Sequence, residues 1–428
     1  MAPDTKKKPQ LEEFFSDRAK AMKASVIREL LKLTQQPNMI SFAGGLPNPV
    51  TFPVENIKEI CLEVLQRDGN AALQYETTEG YSKFRNAIME RCRKKYCFKI
   101  EVSNLLVTSG SQQGLDLLSR ILINAGDTII TTAPTYLGGL SAFLGYRGEI
   151  EIVPMDEFGM QTDVLEEKLK RMHAHDAYGK KLKFVYVVPT FDNPTGATMP
   201  EKRRKHLYNL ASEYNFLIIE DDPYGELRFE GEDVKPIKYH DDEGRVIYLG
   251  TFSKIFVPGF RLAWAIGSEE IIRKIAIAKQ STDLCTNTFT QYLTYNFMER
   301  GLLDKCIEKS RKLYKGKRDL MLACMKENFP EGTEWTKPQG GLFTWVTLPP
   351  SIDTRDMFMH AVQEKVAYVI GSAFYPNDGG HNTMRLNFSY SSDGDIVEGI
   401  KRLGNVIRKE MTVKEETAYT YGPKDSLV

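Results

Sequence analysis

The sequence predicts an α/β protein: a mostly parallel sheet with helices on both faces, followed by a second, smaller domain. Three observations lead there. Short apolar runs rich in β-branched and aromatic residues recur at Leu105 to Thr108, Thr128 to Thr131, Phe184 to Val188, Phe216 to Ile219 and Val246 to Leu249, as in strands buried on both faces. Helix-length segments such as Gln112 to Ile123 and Glu201 to Tyr214 separate several of them, which is βαβ alternation. At 428 residues the chain exceeds what one core fills, so two domains are expected.

Taken in order, the elements begin with a charged end, MAPDTKKKPQLEEFF, whose Lys6, Lys7 and Lys8 read as a solvated terminus. SVIRELLKL follows, with Ile27, Leu30 and Leu31 on one helical face; it is expected beside the small domain or across the site entrance. Glu55 to Gln66 spaces Ile57, Ile60, Cys61, Val64 and Leu65 as one apolar helical stripe. After Gly301 a long polar helical region leads to GGLFTWVTLP and TMRLNFSYSS, where strand alternation returns. The expected division is an N-terminal segment over 1–51, a large domain over 52–305 and a small α+β domain over 306–428.

Composition narrows the function. Lys plus Arg and Asp plus Glu are 57 each, so no global field favours a polyanion and nucleic-acid binding is not expected. The six cysteines are scattered without a CxxC pair, and the six histidines form no HExxH cluster, so neither a metal site nor a disulfide framework is expected. No apolar run of about 18 residues or secretory leader is seen. A cytoplasmic protein without membrane association is the expectation.

In open α/β sheets ligands bind beyond the carboxyl ends of the strands, and there the sequence is consistent. Thr108 leads into SGSQQG and a helix, where Ser111 and Gln112 could meet a phosphate at the helix N-terminus. FVYVV ends in PTFDNPTG, whose Asn193 amide could address a ligand oxygen. FLIIE ends in DDPYGEL, placing Asp221, Asp222 and Tyr224 at the same rim; a carboxylate there could hold a pyridine nitrogen protonated, with Asp221 the better candidate. VIYLG ends in TFSKIFVPGFRLAW, where Lys254 lies among Phe252, Ile255 and Phe256. Desolvation lowers a lysine's pKa and suits it to imine chemistry, while Thr251, Ser253 and Arg261 could bind the same phosphate.

The segments SFAGGLPNP, GSQQGL, DNPTG, EDDPYGEL, TFSKIFVPGFRLAW and MRLNFSY resemble, in order, those of class I aminotransferases, and within them the aromatic and 2-aminoadipate (kynurenine-type) branch. The likeness runs from about Ser25 to near the C-terminus. It implies fold type I, with a seven-stranded, mostly parallel sheet in the large domain, and pyridoxal 5'-phosphate as cofactor. By this resemblance Lys254 carries the cofactor and moves the substrate proton, Asp221 pairs with its ring nitrogen, and Asn193 and Tyr224 hold its ring oxygen. Tyr136 of APTYLGG stacks on the ring, while Ser111, Gln112, Thr251, Ser253 and Arg261 hold the phosphate. Tyr75 of LQYETTEG reaches that phosphate from a neighbouring subunit, which implies a homodimer with shared sites. Arg385 grips the substrate α-carboxylate, and backbone around Gly44 and Gly45 lies close to the substrate.

The expected reaction moves the amino group of an aromatic L-amino acid or 2-aminoadipate to 2-oxoglutarate, giving the 2-oxo acid and L-glutamate by ping-pong kinetics. Arg28 would meet a distal carboxylate. The alternatives are another reaction of the same cofactor, such as β-elimination or decarboxylation, and an effector-binding regulator domain. Fewer than about 50 residues precede SFAGGLPNP, which leaves no expected room for a DNA-binding domain.

Overall fold

The computed structural model describes residues 11–22, 37–174 and 181–420. Arg28 and the helix expected around it lie outside these residues. The strands are β1 (Ile40–Ser41), β2 (Leu105–Thr108), β3 (Thr128–Ala133), β4 (Glu149–Asp156), β5 (Gly159–Met160), β6 (Leu182–Val187), β7 (Leu217–Asp222), β8 (Val246–Thr251), β9 (Ala263–Ile266), β10 (Glu334–Trp335), β11 (Phe343–Thr347), β12 (Val366–Ala367), β13 (Val369–Ile370) and β14 (Thr383–Asn387).

The large sheet runs β2-β9-β8-β7-β6-β3-β4-β5. Its centre, β8 through β4, is parallel, and β9 runs antiparallel to both neighbours. The seven expected strands are therefore extended by the two-residue β5, which returns antiparallel on β4. β6, β7 and β8 are almost wholly buried, the reason they read as continuous apolar runs rather than alternating ones. The helices Ser111–Leu122 and Glu201–Glu213 cover this sheet, burying Leu115, Leu117 and Leu118 from the first and Leu207 and Leu210 from the second.

Because β9 is reversed, β2 points the same way as β8, and the ends of β2, β6, β7 and β8 share one rim. Register makes this concrete. Thr108 and Thr251 flank Ala263 from either side, Asp222 is level with Gly250, and Val187 is level with Glu220.

A second sheet, β10-β11-β14-β13, is antiparallel throughout. It places Arg385 between Trp345 and Val369. β1 pairs in parallel with β12, and the Asn387 N–H donates to the Phe42 carbonyl at 2.8 Å, so the SFAGG segment is drawn alongside β14. The helix Leu302–Asn328 passes through the expected border at 305/306 and packs on the Asp393–Thr420 helix. Among the described residues no helix is long and apolar enough to cross a membrane.

Candidate active site

The shared rim and the second sheet enclose a cavity of about 310 Å³ lined by Gly45, Ser111, Gln112, Tyr136, Asn193, Asp221, Tyr224, Thr251, Ser253, Lys254, Arg261 and Arg385, together with Val188, Pro223 and Phe343. Every residue singled out for chemistry at the strand ends, Asp222 apart, is thus brought to one space. Tyr75 is not: it is exposed on this chain's surface.

Lys254 follows β8 and its Nζ donates to the Gly45 carbonyl at 2.7 Å. Burial, with the charges of Arg385 and Arg261, pushes its pKa down to about 8, because an ammonium loses hydration there and meets like charge. A neutral amine, the form that acts as nucleophile or base, is therefore available near physiological pH.

Asp221 is fully enclosed at the end of β7. Burial raises its carboxyl to about 7; a hydrogen bond from Tyr186 opposes the rise and neighbouring Asp222 adds to it. The Tyr186 hydroxyl donates to Oδ2 at 3.0 Å, whereas Oδ1 is buried with no hydrogen-bond partner among the described residues. Asp222 faces elsewhere, accepting from Tyr248 at 2.9 Å and from the Gly225 N–H at 2.8 Å. The two adjacent acids are thereby separated into one that builds the turn and one with an oxygen to offer.

At the other end of the cavity the helix Ser111–Leu122 begins at Gly110, whose φ is +85°. A Cβ at Gly110 would lie 2.1 Å from Arg261 Nη2, so the backbone turn and the guanidinium share space that only glycine leaves open. Arg261 itself is left-handed at φ +52°, a conformation that packing must hold in place. Its Nη1 donates to Ser253 Oγ at 3.1 Å, Thr251 Oγ1 donates to the same oxygen at 3.1 Å, and Ser111 Oγ is buried with no partner among the described residues. The first turn of a helix, two hydroxyls and an arginine make an anion cradle. Lys279, Asp283, Gln113 and Ser109 form a hydrogen-bonded group at the same helix start, which sequence reading missed because its two halves, Ser109 with Gln113 and Lys279 with Asp283, are far apart in the chain.

Arg385 is buried in β14, its guanidinium 4.2 Å from the Phe343 ring centre and 5.1 Å from that of Phe374. It donates to Asn193 Oδ1 and to the Ala43 carbonyl, each at 2.8 Å, while Nε finds no partner among the described residues. Burial lowers its pKa to about 10, which leaves it charged at neutral pH. With Asn193 Oδ1 so occupied, its NH₂ is free to donate toward the cavity.

This set fits pyridoxal 5'-phosphate. The free Asp221 oxygen suits a protonated ring nitrogen, the cradle suits a phosphate, and Lys254 stands between them. Among the described residues no group of three or more metal-ligating side chains is assembled. Tyr186, Val188, Pro223 and Phe343 escaped the sequence reading, since nothing in their local motifs distinguishes them from core.

Residues 38–403 match the family described as aminotransferase class I and II. Over 400 residues the chain is 54% identical to an aromatic-amino-acid aminotransferase of Thermococcus litoralis, covering 94% of this chain and 95% of that one. The structure of a Pyrococcus horikoshii kynurenine aminotransferase in complex with PMP superposes with a TM-score of 0.89 at 51% identity, over 94% of this chain and 98% of that one. An alpha-aminoadipate aminotransferase from Thermus thermophilus, complexed with N-(5'-phosphopyridoxyl)-L-leucine, gives 0.87 at 35% identity, over 95% of this chain and all of that one.

Proposed function

This chain belongs to the class I and II aminotransferases and uses pyridoxal 5'-phosphate, and from that premise we propose that it moves the amino group of an aromatic L-amino acid or of 2-aminoadipate to 2-oxoglutarate. The observation that carries the reading is the assembly of Lys254, Asp221 and Arg385 around one cavity. The relatives named for aromatic amino acids, kynurenine and alpha-aminoadipate support the donor classes.

When bound, the cofactor supplies a protonated pyridine ring that accepts the electron pair left as the substrate α-hydrogen departs. Asp221 Oδ1 would hold the proton at the ring nitrogen. The Asn193 NH₂ and the Tyr224 hydroxyl would donate to the ring oxygen, Tyr136 would stack on the ring face, and Ser111, Gln112, Thr251, Ser253 and Arg261 would hold the phosphate. Arg385 takes the substrate α-carboxylate in a paired hydrogen bond, which orients the α-hydrogen toward Lys254. Lys254, with its lowered pKa, accepts and returns that proton. Phe343 and Val188 exclude water beside it. Because the amino group stays on the enzyme between donor and acceptor, the kinetics are ping-pong.

The proposal includes a homodimer with shared sites and Tyr75 of one subunit at the other's phosphate. Gln112 and Arg261, on the phosphate side, remain exposed in the single chain. Leu46, Val50, Val54, Leu62, Leu73 and Tyr75 form a run of exposed apolar side chains that a partner would cover. The division into 1–51, 52–305 and 306–428 belongs to the same reading, as does a cytoplasmic setting, which the six free thiols support. Arg28 is proposed to meet the distal carboxylate of acidic substrates. The test is donor profiling: aromatic donors and 2-aminoadipate should each yield glutamate from 2-oxoglutarate, and release of ammonia or carbon dioxide instead would favour a lyase or decarboxylase.

A further inference from the structure

Tyr186 lies outside every motif that marks the site, yet it is fully buried and, among the described residues, is the one side chain that hydrogen-bonds the carboxylate of Asp221. Strand geometry explains why. Tyr186 is level with Ile219 across β6 and β7, and Asp221, two residues further along β7, projects from the same face. The pair is therefore a diagonal neighbour across two central strands, the reach a long aromatic side chain spans.

The tyrosine is itself held on every side. Its backbone carbonyl accepts from Thr131 Oγ1 at 3.2 Å. Its ring meets the edge of Phe143 with centroids 5.2 Å apart. A Cβ on Gly139 would approach the ring to 3.0 Å and the hydroxyl oxygen to 3.3 Å, so the helix Leu137–Gly145, which begins after Tyr136, closes on Tyr186 through a glycine. A hydroxyl locked this way cannot follow Asp221 if the carboxylate turns. It selects the rotamer in which Oδ2 is engaged and Oδ1 is left free.

We propose that Tyr186 is a positioning residue for amino transfer: by holding Asp221 through Oδ2 it aims Oδ1 at the cofactor's ring nitrogen and keeps the carboxylate ionised. The inference rests on the reading of Asp221 as the partner of that nitrogen. A buried carboxylate flanked by Asp222 tends to take up a proton, and the Tyr186 hydrogen bond is the interaction that opposes it. A neutral Asp221 could not stabilise a protonated ring.

The experiment uses holoenzyme carrying cofactor labelled with ¹⁵N in the ring, comparing the unchanged protein with Tyr186→Phe, Asp221→Asn and the double variant. In Tyr186→Phe the nitrogen resonance should move toward its unprotonated position. The acidic limb of the kcat/KM profile should move to higher pH, and kcat should fall about tenfold with the donor KM within about twofold, the signature of a lost charge-assisted hydrogen bond felt in the transition state. In the Asp221→Asn background the hydroxyl should make no further difference. If Tyr186→Phe keeps both resonance and limb while Asp221→Asn alters both, the proposal is overturned and the Asp221 reading stands. If Asp221→Asn leaves the nitrogen unchanged, both fall. Should Tyr186→Phe fail to fold, 3-fluorotyrosine at position 186 keeps the ring and strengthens the donor; the limb should then move to lower pH, and an unmoved limb overturns the proposal.

Discussion

Lys254 loses its ordinary basicity because burial and the charges of Arg385 and Arg261 all act against the ammonium, which brings it down to about 8. The sign fixes a prediction. In the cofactor-free protein the amine is protonated below that pH and neutral above it, so cofactor uptake should accelerate as pH rises through about 8, not near the value of a free lysine. Stopped-flow absorbance across pH 6 to 10 measures this, and a midpoint near about 10.4 would contradict it. Arg385→Gln should raise the amino-donor KM about a hundredfold, since it removes a paired hydrogen bond to a carboxylate while leaving Lys254 in place. At this scale the sequence was most legible. Asp221 stands at the end of a buried strand and Lys254 and Asn193 just past one, where local pattern and chemical type agree. Tyr186 and Phe343 were not legible, because what they touch depends on strand register and on the approach of the second sheet, neither of which a local motif encodes.

Among the elements, the turn from β2 into the Ser111–Leu122 helix has the least freedom. Gly110→Ala would force a side chain into left-handed backbone and onto Arg261; it should cost about 1 to 3 kcal/mol of stability and weaken cofactor binding, read by thermal unfolding and by titration. The short helix Gly225–Leu227 is anchored differently. Its Glu226 accepts from Lys95 at 2.8 Å and from Arg91. Burial alone would raise this carboxyl, but Lys95 and Arg91 pull it down to about 2. A group depressed on folding contributes stability above its unfolded pKa of about 4.3. That contribution should be lost as pH falls from there toward about 2. Glu226→Gln removes the buried carboxylate that the half-buried Arg91 and Lys95 share, with Asp304 still pairing Arg91; it should cost about 1 to 3 kcal/mol in urea unfolding at pH 7, and a variant as stable as the parent would contradict the network. Strands with continuous apolar runs were legible from sequence. β9, hidden in the motif after Lys254, and the two-residue β1, β5, β10, β12 and β13 were not, because such short segments form only when a neighbour supplies their hydrogen bonds.

For the whole molecule, the α/β class and the second sheet followed from alternation along the chain, while the closing of β14 and the SFAGG segment over the large sheet required tertiary pairing. The proposed sharing of sites between two subunits makes its own prediction. Lys254→Ala and Tyr75→Ala subunits, each weakly active as pure dimers, should regain activity when mixed and reassembled, because one hybrid site unites an intact Lys254 with an intact Tyr75; no gain on mixing would exclude contribution across the interface. The central claim, amino transfer by Lys254 and its neighbours, meets its most direct test in a single turnover. Purified holoenzyme receives one L-amino acid at a time, glutamate, 2-aminoadipate, tyrosine, phenylalanine, kynurenine or alanine, with no oxo acid present, while the visible absorbance of the bound cofactor is followed. The account predicts that the yellow band is lost with aromatic donors, 2-aminoadipate and glutamate, and returns on addition of 2-oxoglutarate. A band that persists with every donor, or that disappears only with release of carbon dioxide or ammonia, would contradict it.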